Sequence, residues 1–436
     1  MRGSAAIRAA AHLLWLPGLS ALPGATGPAA AQAARPSPAF EARARALVGL
    51  FNGQTPAAGL LSPSFLAAVP AERVAEISTK LRASYGPAKA VLRIEANRST
   101  EGMVFIQFER SIVRLQMAIG PEPHNLVEGL RVLGVEAGGR DLPTVVRELV
   151  GLPGVVSLAA ARLDDPGPVE LLAQKSDRPL AIGSTFKLFV LAELVREIKA
   201  GERRWTDVVA LGPPSLPSGF LRDWPRGSPI TLHSLAALMI SQSDNSATDT
   251  LISLLGRDKV ESLLPALGVR APERNRPFLT TREAFALKLG DQTRLQRWKT
   301  ADEAGRRTLL TELDRVESST LDPSRRGGRP ADIAAVEWFA SPADLVRTLD
   351  WLRRNGDETA LDLLAINPGL GPALAAEFDY FGFKGGSEPG VLNLSFLLKA
   401  RSGRWIAISA TWNSEAAALD EPRFLALMSR LVALLK

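Results

Sequence analysis

The spacing of apolar residues changes several times along this chain, and each change predicts a different element. Between Phe40 and Phe51 apolar residues recur three and four positions apart, the period of an amphipathic helix. A second helical pattern covers Pro63–Tyr85, with a break predicted near Pro70. The period then shortens towards two, and Ala88–Ala96, Gly102–Phe108 and Ser111–Ala118 read as strands. Two helices followed by strands predict a small α+β domain with a curved sheet over residues 40–139.

A second domain, residues 140–436, opens with the apolar stretch Leu142–Leu152. Val155–Leu163 and Pro168–Ala173 are strand-like and flank Asp164-Asp165-Pro166-Gly167, a hairpin signal. Helical periods dominate from 185 to 365, and the charged helical patterns of 291–335 read as an insertion. Strand composition returns at Tyr380–Lys384, Val391–Leu398 and Trp405–Trp412, and Glu421–Leu435 ends the chain as an amphipathic helix. Strands at both ends with helices between predict one sheet built from the two ends of the domain and covered by helices.

The first residues follow a different rule. Arg2 and Arg8 precede the apolar stretch Ala9–Leu22, and Ala31-Gln32-Ala33 offers the small residues of a cleavage site. Residues 1–33 therefore read as a signal peptide and 34–39, with Pro36-Ser37-Pro38, as a linker. The expected destination is secreted or periplasmic, with no membrane anchor after cleavage, since no later segment reaches about 18 uninterrupted apolar residues.

Composition narrows the chemistry. A chain of 436 residues that is 46% hydrophobic can fill two cores. It has no cysteine, which excludes disulfides, thiolate metal sites and a cysteine nucleophile. Its three histidines, His12, His124 and His233, are too scattered for a histidine-rich metal centre, and no cofactor is implied. The net charge of +6 comes with arginine pairs set among acids without interleaved aromatics, so solvated surfaces are expected and nucleic acid is not. No Gly-x-Ser-x-Gly elbow is present, and His233 is the only histidine of the second domain, which argues against a serine–histidine–acid triad.

Three polar triplets remain. Ser184 follows Gly183 and opens the apolar helical run Phe186–Ile198, with Lys187 three residues on and on the same face. A lysine in the first turn of a buried helix has its pKa lowered by the apolar setting and by the helix dipole, which fits it to act as a base towards a serine hydroxyl. Ser243-Asp244-Asn245 is pinched between the apolar runs Leu232–Ile240 and Ala247–Leu255, a tight turn able to push side chains into a cleft. Ser243 there suits proton relay to a leaving group, and the Asn245 amide suits a substrate carbonyl. Lys384-Gly385-Gly386 ends a strand-like run before Ser387; its glycines allow close backbone approach, and the Ser387 and Ser184 N–H groups suit an oxyanion.

Together these triplets resemble the Ser-x-x-Lys, Ser-Asp-Asn and Lys-Thr-Gly signatures of class A β-lactamases and penicillin-binding proteins. The 59 residues between Ser184 and Ser243 match that spacing, and the 141 between Ser243 and Lys384 imply an insertion. The resemblance covers roughly 140–436 and implies the serine β-lactamase α/β sandwich, an antiparallel sheet flanked by helices. It makes Ser184 the acylated nucleophile, Lys187 its base, Ser243 the proton relay, Lys384 the electrostatic clamp, and Asn245, Gly386 and Ser387 substrate contacts. The implied activity is that of an exported serine hydrolase opening a β-lactam or related amide or ester, with a small molecule as its only partner. A D,D-peptidase or esterase of the same fold, or a slowly deacylating β-lactam-binding protein, are the alternatives.

Departures from the pattern are specific. Gly385 stands where the family has a hydroxyl that helps bind the β-lactam carboxylate, and Asn393 falls near the place of an arginine often found on the next strand. No Glu-x-x-Leu-Asn loop occurs between 256 and 340; Glu283 is the candidate deacylating base there, although Thr280 or Thr281 before it favours a helix-capping role. The two-domain arrangement with Lys-Gly-Gly resembles more closely the β-lactamase-like proteins of clavulanic acid biosynthesis. That likeness implies a front domain similar to steroid isomerases and places Ser218 and Phe220 at the cleft mouth.

Overall fold

The computed structural model describes residues 36–109, 111–137, 142–215, 218–313 and 328–436. The expected signal peptide, Pro217 and residues 314–327 of the expected insertion lie outside the described residues. The chain forms two units, one running to Val146 and including Pro422–Leu435, the other spanning Arg147–Glu421 with Lys436.

In the first unit α1 (Pro38–Phe51) starts where the Ser37 hydroxyl accepts the Phe40 N–H at 3.1 Å and Pro38 takes the first helical position. It buries Phe40, Ala44, Leu47, Leu50 and Phe51, the stripe its spacing predicts. The segment expected as one broken helix is two, α2 (Pro63–Ala68) and α3 (Ala71–Tyr85), parted at Val69 and Pro70. Four antiparallel strands follow in sheet order β1 (Ala88–Arg98), β2 (Glu101–Phe108), β3 (Ser111–Ile119) and β4 (Val127–Ala137). The sequence reading anticipated three. In β4 the glycines at 129 and 134 and the charges of Glu128 and Arg131 hide the alternation that register with β3 supplies. Phe108 sits at the centre of this core, tilted against Phe51 at 5.9 Å and edge-on to Tyr85 at 6.5 Å.

The boundary between units falls inside α4 (Leu142–Val150). Next come β5 (Val155–Leu163), β6 (Pro168–Gln174), the two-residue β7 (Leu180–Ala181) and α5 (Lys187–Lys199). The short pair β8 (Val208–Ala210) and β9 (Pro229–Thr231) leads into α6 (Leu232–Ser241), α7 (Asn245–Leu255) and α8 (Arg257–Leu263). Then follow α9 (Thr281–Leu289), α10 (Gln292–Thr300), α11 (Glu303–Leu313), β10 (Phe339–Ala340), α12 (Pro342–Asn355), α13 (Glu358–Ala365) and α14 (Pro372–Ala375). The last elements are β11 (Tyr380–Glu388), β12 (Val391–Lys399), β13 (Trp405–Asn413) and α15 (Glu421–Leu434).

The second unit's main sheet is antiparallel in the order β11-β12-β13-β5-β6, so strands from both ends of the domain meet at the β13–β5 pairing. Helix α12 lies across β13 and β5 and also packs on α5, which is buried along Lys187–Val195. The helices α10 and α11 each turn a narrow apolar face inwards, through Leu295 and Trp298 and through Leu309, Leu310 and Leu313. Helix α15, expected to close the second domain, groups instead with the first unit; an apolar stripe fixes that a helix is covered, not which core covers it. No helix among the described residues is long and apolar enough to cross a membrane.

Phe108→Ala should cost roughly 3–5 kcal/mol through the cavity it leaves. Urea unfolding with hydrogen exchange across β1–β4 checks this, and unchanged protection there would place the core elsewhere.

Candidate active site

The site begins where β7 pairs with β10 and the Asn413 amide brackets Ala181, donating to its carbonyl and accepting its N–H at 3.0 Å each. The chain then enters a single 3-10 turn, Gly183–Phe186, that runs directly into α5. Gly183 opens it in the left-handed region at φ 50°, where glycine carries no steric cost. A side chain on Gly386 would lie 2.0 Å from the Ile182 carbonyl oxygen and 2.6 Å from the Ser184 nitrogen. The backbone of β11 is therefore seated on the turn that carries Ser184, and only glycine permits that spacing. The Ser387 nitrogen lies against Gly183 in the same way.

The second wall is the turn between α6 and α7. Ser243 adopts φ 55°, a strained conformation for a residue with a side chain. The following Asp244 holds it there: one carboxylate oxygen caps α7 by accepting Ala247 N–H at 2.8 Å, and the other accepts Leu221 N–H at 2.9 Å. The Ser218 hydroxyl donates to the Ser243 carbonyl at 2.9 Å, and Asn245 N–H donates to the Ser218 carbonyl at 3.0 Å. Ser218 is thus a brace of the turn. Phe220 beside it is 59% exposed and stands out into solvent.

Both walls meet at Lys187. Its Nζ donates to Ser243 O and Asn245 Oδ1 at 2.7 Å each and to Ser243 Oγ at 3.1 Å. The sequence suggested direct pairing of Lys187 with Ser184, but the Ser184 hydroxyl is not among its acceptors among the described residues. The turn at 243–245 supplies three oxygens at the amine, and they take its three hydrogens. Asn245 likewise spends its carbonyl oxygen on the amine. Lys384 reaches the same point from β11: its Nζ donates to Ser243 Oγ at 3.1 Å and to the Gly385 carbonyl. Ser243 Oγ consequently bridges two lysines.

Burial pulls Lys187 well below the ordinary lysine range, and the charge of Lys384 pulls it further, against the opposing pull of Asp249 and Asp244. Burial lowers Lys384 to about 7. Lowering by apolar surroundings was the sequence expectation for Lys187; that for Lys384 was not anticipated, because a lysine at a strand end gives no sign of its depth.

A polar network behind the turn also escaped the sequence reading. Thr185 Oγ1 donates to Asn393 Oδ1 at 2.8 Å, Ser395 Oγ donates to the same oxygen at 2.8 Å, and Asn393 Nδ2 donates to Thr411 Oγ1 at 2.8 Å. All four side chains are buried. Asn393 pairs with Gly386 in register and faces inwards, supporting the residue next to Ser184. At Gly385 a side chain would meet the Phe383 ring at 2.7 Å; the same ring would meet one on Gly369 at 2.6 Å.

Glu283 is held elsewhere. It closes a capping box with Thr280 at the start of α9, and its carboxylate accepts two bonds from Arg257 at 2.7 and 3.1 Å. The structure does not bring it to the lysines, so Ser184, Lys187, Ser243, Asn245, Lys384, Gly386 and Ser387 converge and Glu283 does not. Among the described residues no group of three acids or histidines is placed to hold a metal ion.

The family model of the beta-lactamase enzyme family matches residues 145–365, just over half of the chain, which takes in Ser184, Lys187 and Ser243 and ends before Lys384. No curated protein matches the chain. A β-lactamase from Sphaerobacter thermophilus is 22% identical, over 67% of this chain and 94% of its own, with a TM-score of 0.47. A β-lactamase from Chitinophaga pinensis is 16% identical over 67% and 97%, with a TM-score of 0.45. PBP-A is 14% identical over 67% and 94%, with a TM-score of 0.46.

The depressed Lys384 has a measurable sign. Unfolded, the amine keeps its proton to about 10.5; folded, it releases it near about 7, so stability rises with pH between those values. Below about 7 the folded protein bears the whole cost of the buried charge. Lys384→Met should therefore raise stability at pH 6 by roughly 1–3 kcal/mol, with the gain fading as pH approaches 10. Chemical denaturation of both proteins across pH checks it; a gain that grows with pH would refute the burial argument.

Proposed function

The chain belongs to the beta-lactamase enzyme family, and from that premise we propose that it is a serine hydrolase that opens a β-lactam or related amide or ester through an acyl-enzyme on Ser184. The observation that carries the reading is the relay Lys187 Nζ to Ser243 Oγ to Lys384 Nζ, both steps 3.1 Å, set beside a turn that β11 closes. A neutral amine has two N–H groups and one lone pair. The two 2.7 Å bonds from Lys187 use the N–H groups, and the lone pair is then free to face a hydroxyl.

In this reading Ser184 Oγ attacks the carbonyl carbon while its proton passes to Lys187. The oxyanion is held by the N–H groups of Ser184 and Ser387. On collapse the bond to nitrogen or oxygen breaks, the leaving group takes the proton of Ser243, and Ser243 recovers one from the Lys187 ammonium. Where it is protonated, below about pH 7, Lys384 adds positive charge to that path and favours substrates that carry negative charge nearby. Phe220 lines the cleft mouth, and Ser218 acts through the turn it braces.

Slow hydrolysis of the acyl-enzyme is favoured by one observation: the Glu283 carboxylate is committed to Arg257 and to capping α9. A β-lactam-binding protein with long-lived adducts is accordingly the second reading. Export is supported by the pattern of residues 1–33, and an accessory role for 40–139 by the absence from its sequence of a clustered acid–base pair.

Penicillin G mixed with the protein should add its mass to Ser184, and Ser184→Ala should remove the adduct. An adduct that persists for hours supports the binding-protein reading, and one that appears only transiently supports a hydrolase. Labelling at another residue, or none with penicillin G, acyl esters and D-Ala-D-Ala peptides alike, would defeat the proposal.

A further inference from the structure

Charged groups that the relay does not use hold the Ser184 turn from its other side. Gly183 N–H donates to Glu337 Oε2 at 3.2 Å, and the same oxygen accepts Trp338 N–H at 3.2 Å. Ile182 N–H donates to the Trp338 carbonyl at 3.0 Å, and the Trp338 indole stacks on Phe186 with 3.8 Å between ring centres. The segment 337–338 therefore grips the turn at its start and at its end.

Glu337 is itself tied to β11. Its second oxygen accepts a bond from Lys288 Nζ at 2.6 Å, and that ammonium also donates to Glu388. Glu388 lies two residues beyond Gly386 on the same strand, hence on the strand face that Gly386 presses against Ser184. One ammonium from α9 thus links the segment before β10 to the edge of β11, with the nucleophile's turn between them.

The three side chains are nearly out of water, at 5% exposure for Lys288, 1% for Glu337 and 14% for Glu388. Burial, then the charge of Glu337, pushes Glu388 well above the carboxylate range. Burial pulls Lys288 down, and the two carboxyl groups more than offset it. Buried charge clusters are often no more stabilising than apolar residues of the same size, but this one also joins two backbone segments. What it supplies is a fixed length between them.

We propose that Glu337 is a positioning residue for acylation, which sets the distance between the Ser184 N–H and the β11 edge through its bond to Gly183 N–H and its tie through Lys288 to Glu388. The proposal rests on the acyl-transfer reading for its consequence and on the bonds above for its geometry. Glu337 touches no substrate in it.

Three proteins test it: Glu337→Leu, Glu337→Gln, and the triple variant Glu337→Leu, Lys288→Met, Glu388→Leu. Hydrogen exchange of peptides spanning 180–187 should speed up at least tenfold in the Leu and triple variants, with the rest of the unit unchanged. Penicillin G acylation at saturation should fall 10–100-fold in both, with half-saturation nearly constant, and Glu337→Gln, which keeps one acceptor oxygen for the Gly183 and Trp338 N–H groups but not the second for Lys288, should recover part of the rate. Unchanged exchange at 180–187, equal losses in the Gln and Leu variants, or a triple variant that does not fold would each overturn the proposal. A parent protein that penicillin G and acyl esters leave unlabelled would remove the acyl-transfer reading instead, and exchange would still decide the clamp.

Discussion

The site depends on keeping one amine, that of Lys187, out of water. Burying an ammonium costs several kcal/mol even after relaxation, and the structure meets that cost with three oxygens from a single turn. The same burial that opposes the charge favours the neutral amine. Other features serve the arrangement: Ser243 in a strained conformation, Asp244 pinning two elements at once, and Ser218 bracing the turn from outside.

A second constraint is steric and lies in the backbone. Ser184 sits on a turn with strand β11 pressed against it, and that contact is closer than any side chain allows. Hydrogen-bonded groups of two kinds stand behind the turn, the neutral Asn393 network at Thr185 and the charged Glu337 cluster at Gly183. The placement of Ser184 is thus set by buried groups on the far side of its turn, in line with the general need for rigid support around a site.

Much of this was visible in the chain. The three triplets are local in sequence, and each sits where apolar periodicity stops, so their positions and order could be read directly. The sheet drawn from both ends of the second domain followed from strand composition alone. The fourth strand of the first unit did not, because Gly129 and Gly134 interrupt its alternation. Nor did the partners of the turn: Glu337 is 154 residues from Gly183, and Asn393 is 208 from Thr185. Such pairs leave no periodic trace, and a buried lysine such as Lys384 looks in sequence like a surface one. The Thr280 and Glu283 capping box shows the opposite case, where a four-residue motif was enough to identify a helix start.

The flat ring of Phe383 has a consequence for how the cleft can change over time. It occupies the space a side chain at 385 would need and leans on Gly369 at the same time. A hydroxyl-bearing residue at Gly385 therefore requires the Phe383 ring to shift. Shrinking that side chain instead opens a void beside Gly369. Positions 383, 385 and 369 are thus coupled, since one ring fills the space that a side chain at either glycine would take.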